Sequence, residues 1–174
     1  MCTPRRGFVI LIGLGANLSS PEHGSPSETL GVALNLIEDM GVQVLDRSRW
    51  YSSAPETVTV GEPQDWFTNG VAVLGTDLDA PAVLNMLMEV EHRLGRVRMV
   101  KNESRVVDLD LLAYDNLVLD HGPEFVIPHP RLHLRSFVLL PLAEIAPGWR
   151  HPKIGATVEE MITGLPRAGL ATPI

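Results

Sequence analysis

The sequence predicts an α+β fold, an antiparallel sheet with helices packed mainly on one face. Three observations carry that expectation. Strand-like and helix-like stretches interleave irregularly, without the steady β-α-β-α alternation of a parallel sheet. The chain has 174 residues, 45% hydrophobic and 20% charged, which suits one domain over residues 1–174 with a sizeable core. Helix-start signatures are also present at well-separated places.

Taken in order, Phe8 to Gly13 reads as a first strand, closed by the tight turn of "GLGANL". The loosest stretch, "SSPEHGSPSET", follows. A first helix is expected from about Ser27 to Met40, with Ser25 as N-cap, Pro26 at the first helical position, Glu28 as capping-box partner and Gly41 as terminator. Strands are expected at "VQVLDRSRWYSS" and "WFTNGVAVLGT". A second helix runs from about Pro81 to Leu94, capped by Asp79 and stopped by Gly95; Val83, Leu84, Leu87, Val90 and Leu94 recur at helical spacing. "RVVDLDLLAY" is a further strand, followed by short pieces at "NLVLD" and "FVIP". A third helix covers about Leu134 to Leu142, with Pro141 near its end, and a fourth begins at Thr157, with Glu160 completing a capping box. The tail from about residue 165 is expected to be loosely attached.

The totals exclude several classes. A formal net charge of −7 and a pI near 5.3 argue against non-specific nucleic-acid binding, which needs a basic face. No apolar run approaches the roughly 18 residues of a membrane span. Arg5 and Arg6 precede a short apolar run, but no convincing cleavage site follows, so no signal peptide is expected. One cysteine, Cys2, allows no internal disulfide and points to a reducing cytoplasm.

The chemistry concentrates in "RVVDLDLLAY". Side chains alternate along a strand, so Asp108 and Asp110 share a face while Val107, Leu109 and Leu111 face the core. Their α-carbons would lie about 6.6–7 Å apart. Two anions so close call for a counter-charge, and carboxylate oxygens suit magnesium. The plainer alternative is a solvated sheet face. Context favours the metal: Arg93, Arg96, Arg98, Lys101 and Arg105 precede the pair, and His129, Arg131, His133 and Arg135 follow it. Arginine forks suit phosphate oxygens. Two basic clusters around one D-x-D pattern describe a site for a magnesium-bound polyphosphate. There is no G-x-x-x-x-G-K-[ST] loop, and "GLGANL" lacks the third glycine of a dinucleotide motif, so side chains rather than a glycine cradle would hold the phosphates. Phe67 and Asn69 share a strand face, where a ring and an amide would suit a flat heterocycle or would simply be core and edge residues. His133 and His151 read as surface residues.

The ordered set "LIGLGANL", "WYSSAP", "FTNGVAVL", "LGRVR", "RVVDLDLLAY" and "IPHPRLHLRSFVLLPLAEIAP" resembles the 6-hydroxymethyl-7,8-dihydropterin pyrophosphokinase family of folate biosynthesis, over about Val9 to Pro152. The resemblance implies a ferredoxin-like sheet, and transfer of pyrophosphate from ATP to the hydroxymethyl group of a reduced pterin with release of AMP. It implies Asp108 and Asp110 as ligands of two Mg²⁺ ions, and Arg96 and Arg105 as phosphate-stabilising, catalytic residues beside them. Further residues are implied on the nucleotide side: Glu91, Arg98, Leu111, His129 and Arg135. On the pterin side the resemblance implies Asn69 reading the ring edge, Phe67 and Phe137 sandwiching the ring, and Ser53 and Ala54 contacting it through the backbone. The expected protein is a monomeric cytoplasmic enzyme without nucleic-acid or membrane partners.

No strong general base is evident beyond the aspartates themselves. Loops around Ser52–Gln64 and Arg98–Ser104 are expected to close over ATP. Many family members carry R-W-G-P-R before the aspartates; this chain has "KNESR", without the tryptophan, and its loop is one residue shorter. Pro130 follows His129 where some members have tyrosine. The alternatives are another magnesium-dependent nucleotidyl transferase or cyclase on a similar sheet, and a non-catalytic ligand-binding relative. An RNA-binding sheet is disfavoured by net charge and by the lack of an aromatic stacking platform.

Overall fold

A computed structural model of the chain describes residues 9–55, 65–96, 105–122 and 125–174. Arg98, Cys2, the start of the first strand at Phe8, and most of the two loops expected to close over the nucleotide lie outside the described residues. Among the described residues no helix is long and apolar enough to cross a membrane.

The element order is β1 (Ile10–Ala16), α1 (Pro26–Asp39), β2 (Gln43–Arg47), β3 (Tyr51–Ser53), β4 (Phe67–Gly75), α2 (Ala80–Arg93), β5 (Asp108–Tyr114), β6 (Leu119–Asp120), β7 (Val126–Ile127), a 3₁₀ turn (Leu132–Leu134), α3 (Ser136–Ile145), α4 (Val158–Thr163) and β8 (Thr172–Pro173). The main sheet runs β5-β1-β4-β3-β8, with β2 also on β4, and its pairings are antiparallel; β6 and β7 form a separate small ribbon. The fold class is therefore the α+β architecture expected.

One part of that expectation is corrected. The helices cover both faces of the sheet. Leu30, Ile37, Val83 and Leu87 of α1 and α2 pack on Ile10, Ile12, Leu74 and Leu109. On the other face, Val138, Leu139, Leu142, Val158 and Met161 of α3 and α4 pack on Leu11, Val71 and Leu112. The reason lies in the strands: "ILIGLGA" is a nearly continuous apolar run buried on both sides, which one layer of helices could not cover.

The starts of α1 and α4 obey their caps. Ser25 Oγ accepts from Glu28 N while Glu28 Oε2 accepts from Ser25 N at 2.8 Å, and Thr157 and Glu160 repeat the arrangement. Ser25→Ala should cost about 1 kcal/mol, a fall of roughly 2–4 °C in Tm for a chain of this size; thermal melts followed by circular dichroism check it.

Other boundaries differ. "VQVLDRSRWYSS" splits into β2 and β3 because buried Ser48 interrupts the ladder: its N–H donates to Val71 O at 3.0 Å and its Oγ accepts from Val71 N at 3.1 Å. The third helix begins two residues later than expected and continues through Pro141, which is buried on the sheet. Packing there outweighs the one helical hydrogen bond a proline removes. Residues 172–173, within the segment expected to be a loose end, pair with β3, and the Ala171 N–H donates to Ser136 Oγ at 3.1 Å.

Candidate active site

The site forms where β5, β1 and β4 end together. β5 is an edge strand, and Asp108 and Asp110 lie opposite Gly15 and Gly13 of β1. Gly15 in turn lies opposite Asn69 of β4. A Cβ on Gly15 would stand 3.4 Å from Asn69 Oδ1 and 3.9 Å from Asp108 Cβ. The missing side chain thus keeps a slot open between a carboxylate and an amide on one face of the sheet. Val107, Leu109 and Leu111 face the opposite core, as alternation requires. A bulge then resets the register, so that Ile12 meets Leu111 and Leu11 meets Ala113.

Two guanidinium groups hold Asp108. Arg96 Nη1 donates to its Oδ1 at 2.6 Å, and Arg105 Nη1 donates to its Oδ2 at 2.8 Å. Arg96 is aimed by the end of α2. Gly95 adopts φ +80°, its N–H donates to His92 O, and the Arg96 N–H donates to Glu91 O. This closing motif turns the chain back over β5. The same Arg96 Nη1 also donates to Glu91 Oε1. Arg105 is held through its backbone by Asn17: its N–H donates to Asn17 Oδ1 at 2.8 Å, and its carbonyl accepts from Asn17 N at 3.1 Å and Leu18 N at 3.3 Å.

Asp110 is answered less closely. Among the described residues its nearest cation is Arg135, with Nη1 at 4.0 Å from Oδ2, and its side chain keeps 40% of its surface. Burial of its surroundings, followed by the charge of Asp108, pushes its carboxyl up to about 6, with Arg135 partly opposing. Among the described residues the pair is therefore answered less fully at Asp110 than at Asp108, a condition a divalent cation would relieve. Among the described residues no cluster of three or more His, Cys, Asp or Glu could enclose a metal. The protein offers two carboxylates, leaving the other positions to water and phosphate oxygens, as magnesium prefers. The donor set fits that ion.

The neighbouring end of β3 and β4 carries the expected pterin residues. Asn69 is buried, and its Nδ2 donates to the Oγ of buried Ser53 at 2.8 Å. Phe67 pairs with Ser53 across the strands and is half-buried; Ala54 is exposed. Phe137 lies in the first turn of α3, its ring 5.3 Å from the Arg135 guanidinium carbon. Toward its other end, α3 is clamped to β3. Glu144 Oε1 accepts from Tyr51 Oη at 2.7 Å and from Arg49 Nε at 2.8 Å, and its Oε2 accepts from Arg49 N at 2.9 Å.

Other expected residues have settled places. The Leu111 side chain is buried in the α1–α2 core, so only its backbone could line a pocket. His129 Nδ1 accepts from Arg131 N at 3.2 Å and its N–H donates to Leu112 O at 2.8 Å, which ties its loop to the outer edge of β5. Arg93 turns away to Glu89 on the exposed face of α2 and does not join the basic cluster. His151, expected at the surface, is buried; burial and then His133 lower its pKa. The rings of His133 and His151 meet edge-on at 5.8 Å. Asn17 and Glu144, which hold site elements in place, were not singled out from sequence. Asn17 follows a strand end in "GAN", the one local signal available.

The family model described as 7,8-dihydro-6-hydroxymethylpterin-pyrophosphokinase matches residues 11–147. The chain belongs to this family. A 2-amino-4-hydroxy-6-hydroxymethyldihydropteridine pyrophosphokinase of Synechocystis is 36% identical over 160 residues, covering 91% of this chain and 77% of that protein. A protein of the same name from Methylorubrum extorquens is 34% identical over 159 residues, covering 91% and 94%. Among solved structures, Plasmodium falciparum HPPK-DHPS superposes with a TM-score of 0.66 at 13% identity, over 93% of this chain and 45% of that one. At that identity the likeness concerns the fold, and this chain spans less than half of that one. The family's ferredoxin-like α+β architecture accounts for the antiparallel sheet and its helices.

Proposed function

We propose that this chain transfers the β,γ-pyrophosphoryl group of ATP to the hydroxymethyl oxygen of 6-hydroxymethyl-7,8-dihydropterin, in folate biosynthesis. The observation that carries the reading is one juxtaposition. A carboxylate pair ringed by Arg96, Arg105 and Arg135 shares a sheet end with the buried Asn69–Ser53 pair. Family membership and relatives that cover most of the chain support the same reaction.

The new bond forms between the pterin hydroxymethyl oxygen and the β-phosphorus. The bond from that phosphorus to the α–β bridging oxygen breaks, AMP leaves with the bridging oxygen, and the hydroxyl proton passes to solvent. Two Mg²⁺ ions held at Asp108 and Asp110 would neutralise charge on the transferring phosphoryl oxygens. Arg96 and Arg105 add fixed positive charge at Asp108, and Arg135 adds it at Asp110, so that little reorganisation is needed as charge spreads. Asn69, braced by Ser53, presents an amide to the polar edge of the pterin. Phe67 and Phe137 supply its apolar faces. Arg98 and His129 take further nucleotide contacts in this reading, with Ala54 and the Leu111 backbone at the pocket walls. The chain acts as a cytoplasmic monomer. AMP release from Mg-ATP should require hydroxymethyldihydropterin; ATP hydrolysis independent of pterin, or no AMP with both substrates present, refutes the reading.

A further inference from the structure

Among the described residues Glu91 is the one strongly buried carboxylate in the centre, with 3% of its side chain exposed. Its Oε1 accepts from two donors. One is Arg96 Nη1, the nitrogen that also reaches Asp108. The other is the Leu109 N–H at 2.7 Å, from the residue between the two aspartates. A buried anion is costly unless its partners repay it, and both of these partners are parts of the site. We infer that Glu91 is a positioning residue that sets the affinity for the divalent cation: it pins the outer edge of β5 at Leu109 and draws the Arg96 guanidinium partly off Asp108. A carboxyl this enclosed has little surface to offer a nucleotide directly.

The electrostatic consequence is specific. Arg96 shared between two carboxylates neutralises Asp108 only in part, so Asp108 keeps capacity for a cation. Without the charge of Glu91, the whole guanidinium falls to Asp108 and the pair becomes less anionic. Cation-dependent binding should weaken, while binding of the bare triphosphate, which welcomes positive charge, should not. A merely structural role would weaken both alike.

The inference rests on the nucleotide reading proposed above, and the experiment separates the two. Calorimetry with α,β-methylene-ATP is run on wild type, Glu91→Gln and Glu91→Asp, in Mg²⁺ and again in EDTA. The expected result for Glu91→Gln is about ten-fold weaker Mg²⁺-dependent binding with EDTA binding unchanged or tighter. Glu91→Asp should show the same split at smaller size and serves if Glu91→Gln does not fold. Amide exchange at Leu109, read without nucleotide, should accelerate in Glu91→Ala. Wild type that binds no nucleotide in Mg²⁺ refutes the nucleotide reading. Wild type that binds while Glu91→Gln loses equally in both conditions, or loses nothing, overturns the role of Glu91, as does unchanged Leu109 exchange.

Discussion

Asp110→Asn should abolish turnover while making the metal-free protein more heat-stable at pH 7.5. The loss should be roughly a thousand-fold or more, the scale of removing one electrostatic partner of a developing charge. The stability gain follows from the carboxyl held up near 6 by burial and by Asp108. At pH 7.5 that group is ionised where its surroundings disfavour the charge, and asparagine removes the charge without changing the shape. The sign can be checked by pH. A carboxyl whose folded-state pKa is raised binds its proton more tightly when folded, so wild type gains stability as pH falls through about 6 toward the ordinary carboxylate range. The gap in Tm between variant and wild type should therefore narrow between pH 7.5 and pH 5. Thermal melts at the two pH values, with an AMP-release assay alongside, test both halves. Retained turnover in magnesium contradicts the ligand assignment, and a variant that melts lower than wild type at pH 7.5 contradicts the electrostatics.

Arg96→Ala should damage both fold and activity. Its guanidinium is the shared donor to Glu91 and Asp108, and Glu91 is almost fully enclosed. Removing one partner of a buried pair costs about 3–5 kcal/mol, a fall of roughly 10 °C in Tm. Turnover should fall by about a hundred-fold or more. Arg96→Lys keeps the charge but not the fork, so it should restore much of the stability and little of the rate. Differential scanning calorimetry and single-turnover kinetics separate the two effects. A lysine variant with full turnover would show that charge alone, not the shared geometry, matters at this position.

The parts of this structure that the sequence makes legible are those specified locally. Ser25, Glu28, Asp79, Thr157 and Glu160 announce their helices because caps depend on residues three positions apart. Asp108 and Asp110 are legible because strand alternation forces them onto one face. The parts that escape depend on distant chain. Asn17 meets Arg105 and Glu144 meets Arg49 across gaps of 88 and 95 residues, and no local pattern encodes either. Arg93 and Arg96 look alike in sequence, yet helical spacing hands Arg93 to Glu89 while the glycine turn delivers Arg96 to Asp108. Pro141 reads as a helix end because its ring opposes helix continuation, and only burial against the sheet keeps it inside. Two-sided packing was written in "ILIGLGA", whose lack of alternation requires a second layer of helices.

The central claim is that Asp108 and Asp110 with their arginines form the seat of a magnesium-bound triphosphate beside the Asn69–Ser53 pair. A crystal structure with Mg²⁺, α,β-methylene-ATP and hydroxymethyldihydropterin tests it most directly. The expected density puts metal between Asp108 and Asp110, with Arg96 and Arg105 on the phosphates and the pterin edge on Asn69. Nucleotide bound elsewhere, with both carboxylates free of metal, would contradict it.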